Sequence, residues 1–433
     1  MVGEEPSGAP SIGGRRPELL LAPGSAAEVG EAVAAAARVG LAVAPLGGGT
    51  ALGSLGPPAR PYAGLLTRRV TGVVEHAADD LTVTVRAGTT AAELAKVLAA
   101  ARQRLPVDVG RPERATVGGM IATAAAGPLR LGHGTLRDYL LGIAVVGADG
   151  RLVHVGGRVV KNVAGYDLMK LHTGAHGTLG VVVEATFRVK PAPDRFSWVV
   201  AGAAAPAVAE TVRRSLAAAQ VPAAALELLS PALAAAAPAI AGAAPARAPW
   251  VLAVGIEGVE TEVRWQEERV LERLAAAGAS NPVTVAEPAS HDFLRHIVDF
   301  GGAEGRNGNA NGDDLLLRGA VLASRLPELV ESWHSLAPGA ILAASAGNGV
   351  VRLRTAAPTP AMVTALRAAA KAAGGHAVIE SMPASFRGVV DPWGVTAHPL
   401  ATRLKAGLDP GSVFLPGSYL GLGAAPRAAV VMA

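Results

Sequence analysis

The chain has 433 residues, 50% of them hydrophobic, 3% aromatic and 17% charged, and it contains no cysteine. Its 39 Lys and Arg against 35 Asp and Glu leave a formal charge of +4. The length suits about two to three domains with an ample core. The missing cysteine excludes disulfides, cysteine-ligated zinc or iron–sulfur centres and thiol nucleophiles in this chain. No basic run is interleaved with aromatics, so nucleic-acid binding has no support.

The opening Met1-Val-Gly-Glu-Glu-Pro6 is acidic and has no apolar core, so no signal peptide is read, and residues 1–14 are expected to be disordered. Order is expected from about Arg16. Ser25 and Glu28 form a capping box that opens a helix over Ala26 to Val39, closed by Gly40. Leu41-Ala-Val-Ala-Pro45 reads as a short buried strand that runs into Gly47-Gly48-Gly49-Thr50. Val73 to Glu75 and Leu81 to Val85 predict a hairpin. Thr90 and Glu93 open a second capped helix that ends near Arg104, and Ile143 to Val146 with Leu152 to Val155 make a second hairpin around Asp149-Gly150. Leu179 to Val189 is one more strand.

These antiparallel pairs and capped helices argue for an α+β fold. Composition shifts after Pro191-Ala-Pro193, which puts a domain boundary near 194. The second region, 195–400, is rich in Ala and Pro and includes a turn-rich loop, Gly301 to Asp314, expected to be mobile. Within it Leu228 to Ala246 is uncharged but mostly Ala, and is interrupted by Pro231, Pro238 and Pro245. It reads as a low-complexity surface segment rather than a membrane span. No transmembrane segment is expected, and the chain is expected to be cytoplasmic. Residues 401–433 hold a helix and a Gly/Pro-punctuated segment.

Three constellations carry chemistry. Gly47, Gly48, Gly49 and Thr50 after a strand suit either a bare tight turn, which three glycines alone favour, or a concave anion nest for a diphosphate. Neither a P-loop nor a G-x-G-x-x-G pattern fits them. Thr116-Val-Gly118-Gly119, with Thr123 and Gly127 following through a run of tiny residues, suits a flat ligand lying on backbone or equally close helix packing. Lys161-Asn-Val-Ala-Gly165-Tyr166-Asp167, then Gly174-Ala-His176-Gly177-Thr-Leu-Gly180-Val181, offers main-chain donors and acceptors to a heteroaromatic edge. Tyr166 and Asp167 either touch that edge or pair with backbone or a buried Arg.

Together with His133-Gly-Thr-Leu-Arg137-Asp138 and the hairpin at Val145 to Gly150, these motifs occur in an order that resembles the FAD-binding domain of the vanillyl-alcohol oxidase / p-cresol methylhydroxylase (PCMH) superfamily. The tail Arg403-Leu-Lys405, Leu408-Asp409-Pro410, Phe414, Pro416-Gly417 is similar to the 2-hydroxy-acid dehydrogenase branch. Lys161 to Asp167 resembles the FAD-binding E subunits of bacterial glycolate oxidases. The resemblance covers roughly residues 15–194 and 400–420.

The resemblance implies two α+β subdomains clasping FAD over residues 15–194, an α+β cap domain over 195–400, and a closing segment, 401–433, that returns to the FAD domain. It implies that Gly47, Gly48, Gly49 and Thr50 bind the pyrophosphate. Thr116, Gly118, Gly119 and Thr123 would line the flavin and its ribityl chain, Gly177, Gly180 and Val181 the isoalloxazine, and Gly127 belongs to the same cofactor set. Arg137, Gly165, Tyr166 and Asp167 join the cofactor set. Leu46 stands where relatives often carry Arg, and Thr50 and Ala51 stand where covalent flavoproteins place His, so the FAD is expected to be non-covalent. Catalytic relatives carry Gly-His-x-Gly-Asp-Gly-Asn as a metal motif, whereas Ser345-Ala-Gly-Asn348-Gly-Val350 has neither His nor Asp.

No metal site and no catalytic residue is therefore assigned. His291 and His296 are five apart, and His334, His376 and His398 are unpaired; Arg352 and Arg354 suit a carboxylate or a solvated face. The expected function is a flavin-carrying, electron-relaying oxidoreductase subunit of a glycolate-oxidase-type complex acting on a small 2-hydroxy acid. Its implied partners are a homologous FAD-bearing D subunit and an iron–sulfur F subunit, which would hold the complex at the inner face of the cytoplasmic membrane. The alternatives are a stand-alone FAD-dependent 2-hydroxy-acid dehydrogenase, using Arg352, Arg354 or His398, and a non-catalytic assembly subunit.

Overall fold

The computed structural model describes residues 3–4, 10–157, 167–300 and 314–423. Three sheets organise it, and the fold is α+β. The first holds the parallel strands Leu19–Leu21, Tyr62–Leu66 and Ala42–Leu46 in that order, with Gly3–Glu4 antiparallel at the edge. The helix Ala26–Arg38 forms where expected, its cap made by the Ser25 hydroxyl accepting from the Glu28 N–H at 3.2 Å. It buries Val29, Ala32, Val33 and Ala36, the 3.6-residue stripe that its sequence carries.

The second sheet is antiparallel, in the order Val73–Ala77, Thr82–Arg86, Val181–Arg188, Leu140–Val146, Leu152–Gly156. Both hairpins read from the sequence are here. The central strand is buried on both faces. Val181 and Val183 meet the first helix, and Val182, Ala185 and Phe187 meet Leu94 and Leu98 of the helix Ala91–Ala100. That helix stops four residues before Arg104, because Arg102 turns left-handed at φ +53° and Gln103–Arg104 pair as a strand with Lys190–Pro191.

The third sheet has eight antiparallel strands, ordered Ser280–Val285, Arg195–Ala203, Trp250–Gly258, Ala225–Leu229, Ile341–Ser345, Val350–Thr355, Leu315–Ala320, His376–Ser381. Helices Ala207–Ala218, Glu260–Ala276, Leu326–Leu336 and Pro360–Ala372 cover one face around Trp333. The other face turns toward the first two sheets. After the helix Pro399–Leu408 the chain comes back to the first sheet, where Val413 and Leu415 bracket Val43 with hydrogen bonds of 2.7 and 3.2 Å.

Two expectations are overturned. Order begins before residue 15: Ile12 is fully buried with Leu20 and Tyr62, and bridges Arg15 through paired backbone bonds. One large side chain suffices to dock that segment. Leu228 to Ala246 is not a surface segment. Leu228 and Leu229 end a sheet strand, and Leu233, Ala234, Ala237 and Ile240 pack beneath the sheet against Trp198 and Phe293. The prolines start short helical turns, and small alanines let those turns lie close to the strands. Residues 301–313 of the turn-rich loop and Lys161 to Tyr166 lie outside the described residues. Among the described residues no helix is long and apolar enough to cross a membrane.

Because Leu233 is 0% exposed, Leu233→Ala is expected to cost about 2–5 kcal/mol in denaturant unfolding, where a surface residue would cost almost nothing.

Candidate functional site

The glycine loop leaves the carboxyl end of the parallel strand Ala42–Leu46, the usual place for a ligand in such sheets. Its geometry is set by the segment 111–116. A Cβ on residue 48 would lie 1.7 Å from the Arg114 carbonyl oxygen, so Gly48 is required by the protein's own packing. A valine there would break the loop before it blocked a ligand. Gly49 is the open member: it takes φ +69°, and a Cβ would meet nothing nearer than 3.9 Å. Arg114 donates to the Gly48 carbonyl at 3.0 Å and Arg111 to that of Thr50. Two arginines of the neighbouring segment thus flank the glycine loop.

Thr116 caps the helix Val117–Thr123, accepting from Gly119 at 3.3 Å, and the Thr123 hydroxyl donates back to the Gly119 carbonyl at 2.8 Å. Two cavities adjoin these elements. A small one of about 70 Å³ brings together Gly47, Gly118, Gly119, Gly177, Gly180 and Val181. A large one of about 1950 Å³ is lined by Gly49, Thr50, Thr123 and Gly127 on one side and by the eight-stranded sheet on the other. His176 lines both. It sits at φ +52° with its ring 5.1 Å from Trp393 and 4.9 Å from Tyr419, and burial pushes its imidazole down to about 4, which keeps it neutral.

The remaining sequence candidates sort differently. Gly48 and Thr116 stand behind the cavities. Gly127 makes room for a carboxylate, since a Cβ there would lie 2.6 Å from the Asp108 Cβ. Arg137 is exposed and lines neither cavity, because the polar run around it is used to start a helix: Thr135 and Asp138 form its capping box. Asp167 is exposed and pairs with Lys170 at 2.8 Å. Gly165 and Tyr166 lie outside the described residues.

Sequence reasoning missed the large cavity's polar wall. Arg318 stands directly opposite Arg352 across paired strands, and Arg354 follows two residues on, so all three share the cavity face. Glu380 holds Arg318 at 2.8 Å, and Asp314 lies 3.8 Å from Arg354. Arg352 donates to the Ile297 and Val298 carbonyls at 2.7 and 3.0 Å and lies over the Phe300 ring, with no ion pair among the described residues.

Two acids accompany this row, Glu227 fully buried and Asp108 partly so. Burial pushes the Asp108 carboxyl up to about 6, against the Leu129 N–H that donates to it at 2.7 Å. Burial likewise pushes Glu227 up to about 8, while Ser345 and Arg352 pull it down and Asp108 adds to the rise. Only Arg352 and Arg354 carried a sequence signal. Asp108, Glu227 and Arg318 depend on register and burial. Among the described residues no three His, Asp or Glu groups come together as metal ligands. His296 donates through Nε2 to the Leu233 carbonyl at 2.9 Å, His291 packs on Phe196, and the His398 Nδ1 accepts from the Leu400 N–H as a helix cap.

Known proteins bear on this geometry in two ways. The fold matches p-cresol methylhydroxylase with substrate bound (TM-score 0.69, 15% identity, 94% of this chain and 89% of that one). It also matches alkyldihydroxyacetonephosphate synthase (TM-score 0.68, 19% identity, 93% and 77%). The chain therefore shares the fold of these two proteins. Residues 17–156 match the FAD binding domain family, so the chain carries a PCMH-type FAD-binding domain and its cofactor is FAD.

Its curated relatives include glycolate oxidase subunit GlcE of Escherichia coli K12, 40% identical over 137 residues (31% of this chain, 39% of that protein). Glycolate oxidase subunit GlcD of Bacillus subtilis 168 is 31% identical over 208 residues (48% and 44%). D-lactate dehydrogenase of Archaeoglobus fulgidus is 37% identical over 173 residues (40% and 39%). The chain thus spans about two fifths of the length of the curated relatives it matches. The residues present fit FAD on their own geometry: an open glycine at 49, flanking arginines, and glycine-walled cavities joined at His176.

The buried acid gives a stability test. An acid held up in the fold contributes stability that is fully present below its unfolded value near 4.5 and is lost as pH rises through about 8. Glu227→Gln removes that dependence. Denaturant titrations at about pH 5 and about pH 8.5 should show the variant gaining on the parent, by on the order of a few kcal/mol, at the higher pH.

Proposed function

We propose that this chain is the flavin-carrying, electron-relaying subunit of a 2-hydroxy-acid dehydrogenase complex of glycolate-oxidase type, with FAD held non-covalently. The observation that carries the reading is one cavity with the FAD-side residues Gly49, Thr50, Thr123 and His176 on one wall and Arg318, Arg352 and Arg354 on the other. FAD, when bound, supplies a two-electron acceptor that releases electrons singly. Gly47, Gly49 and Thr50 would hold the pyrophosphate, with Arg111 lending charge from within the cavity and Arg114 from behind the loop. Gly119 and Thr123 would flank the ribityl chain, and Gly177, Gly180 and Val181 the ring system.

Arg352 is the cation best disposed for a substrate carboxylate, because its partners are neutral carbonyls rather than an acid. Glu227, protonated at neutral pH, adds no opposing negative charge to that wall. The turn Ser345–Val350 supports the relay reading. It presents Ser345 and Asn348 to the cavity, and both are weak groups for polarising a hydroxy acid. A homologous metal-bearing flavoprotein would then oxidise substrate, and an iron–sulfur protein would take the electrons onward.

The stand-alone dehydrogenase reading has its own supporting observation: Asp108, near 6, and Arg352 line the same cavity and offer a base and a carboxylate anchor. Stopped-flow reduction of the lone FAD-loaded chain separates the two. The relay reading expects glycolate and D-lactate to bleach the flavin over minutes or longer, and faster once the two partner proteins are added. Full bleaching of the lone chain within about a second would overturn it in favour of the stand-alone enzyme.

A further inference from the structure

Beneath the Gly177–Val181 loop lies a buried ion pair that nothing above uses. Lys405, on the helix Pro399–Leu408, is 2% exposed, and Asp409 is 0% exposed. The Lys405 Nζ lies 2.5 Å from the Asp409 carboxylate and donates to the carbonyls of Thr178 at 2.7 Å and Phe414 at 2.8 Å. Asp409 in turn accepts from the Val413 and Phe414 N–H groups at 2.7 and 2.8 Å. All the donors of the ammonium are used. Burying two charges costs more than their attraction returns unless geometry is complete, and an apolar pair would pack there more cheaply. Retention of the charge calls for an explanation beyond packing.

The identity of the Thr178 carbonyl supplies one. The peptide joining Thr178 to Leu179 is trans, so its carbonyl and its N–H point in opposite directions. With the carbonyl turned to Lys405, the Leu179 N–H faces away from that charge. Leu179 lines the small cavity beside Gly177 and Gly180, and its N–H finds no acceptor among the described residues. An unspent donor beside a glycine-walled cavity, flanked by the equally unspent N–H groups of Gly177 and Gly180, is a group kept for a ligand. The same clamp also governs the other loop. Phe414, which Lys405 and Asp409 both hold, bridges Val43 in the strand that delivers Gly47.

We propose that Lys405, locked by Asp409, is a positioning residue for the flavin. It fixes the Thr178–Leu179 peptide so that the Leu179 N–H donates to the isoalloxazine, and its charge polarises that peptide and strengthens the donor. A donor of this kind favours the electron-rich, reduced ring, so the clamp raises the flavin's midpoint potential. The inference rests on FAD occupying the Gly177–Val181 loop.

The test compares Lys405→Met, which keeps the chain length and loses the charge, with Arg60→Met. Arg60 donates to the Gly411 and Ser412 carbonyls at 3.2 and 2.9 Å, so its loss loosens the same segment without touching Thr178. Each apoprotein is titrated with FAD, and each complex is poised against redox dyes, at a temperature where circular dichroism shows it folded. Lys405→Met should bind FAD at least tenfold more weakly and show a lower midpoint potential, while Arg60→Met matches the parent. A folded Lys405→Met protein with the parent's affinity and potential would overturn the inference, as would an equal loss in Arg60→Met. If Lys405→Met does not fold, hydrogen exchange of the parent decides: FAD should slow exchange at the Leu179 amide, and unchanged exchange there would overturn it. A parent protein that binds no FAD at all sinks the underlying cofactor reading instead.

Discussion

The Arg114 carbonyl lies where a side chain on residue 48 would have to be, and much of the site depends on that contact. It brings the end of the strand Ala42–Leu46 against the segment that starts the helix Val117–Thr123, so two loops far apart in sequence form one wall. Arg114 then reaches the Gly48 carbonyl from behind, and Arg111, itself at the cavity surface, reaches that of Thr50. Gly49 is left open at the front, and the wall takes its concave shape from backbone alone. Around the glycine loop few side chains intrude on this wall, which is what an extended dinucleotide requires.

The opposite wall follows a different logic. A β-sheet can present a row of like charges only if each is held by something other than its neighbour. Arg318 and Arg352 face each other directly, yet Glu380 balances the first, and carbonyls with the Phe300 ring hold the second. Asp108 lines the same cavity and Glu227 lies buried behind it, both acids whose burial favours their neutral forms. The cation in the middle of the row therefore keeps most of its charge available to an incoming anion.

Local features were legible in the sequence, and features that depend on register were not. Ser25 with Glu28 and Thr90 with Glu93 mark helix starts because capping spans only three residues, and the two hairpins are equally local. The ordered glycine motifs were enough to indicate the FAD-binding domain. Arg137 lies away from both cavities, and the polarity around it is used by Thr135 and Asp138 to start a helix. In Leu228 to Ala246 abundant alanine hid the spacing of Leu229, Leu233 and Ile240, which face one core beneath the sheet. Arg318 meets Arg352 only because two strands pair in one register, and no window of sequence contains both. Asp108 gained meaning only once its burial was known.

The central claim is that FAD spans the two cavities through His176, with its phosphates at the glycine loop and its ring facing the arginine row. A crystal structure of the protein reconstituted with FAD tests this most directly. The account predicts the pyrophosphate against Gly47, Gly49 and Thr50, the isoalloxazine against Gly177 to Val181, and the substrate side of the ring turned toward Arg352. A flavin bound elsewhere, or bound with its ring turned away from the eight-stranded sheet, would contradict it.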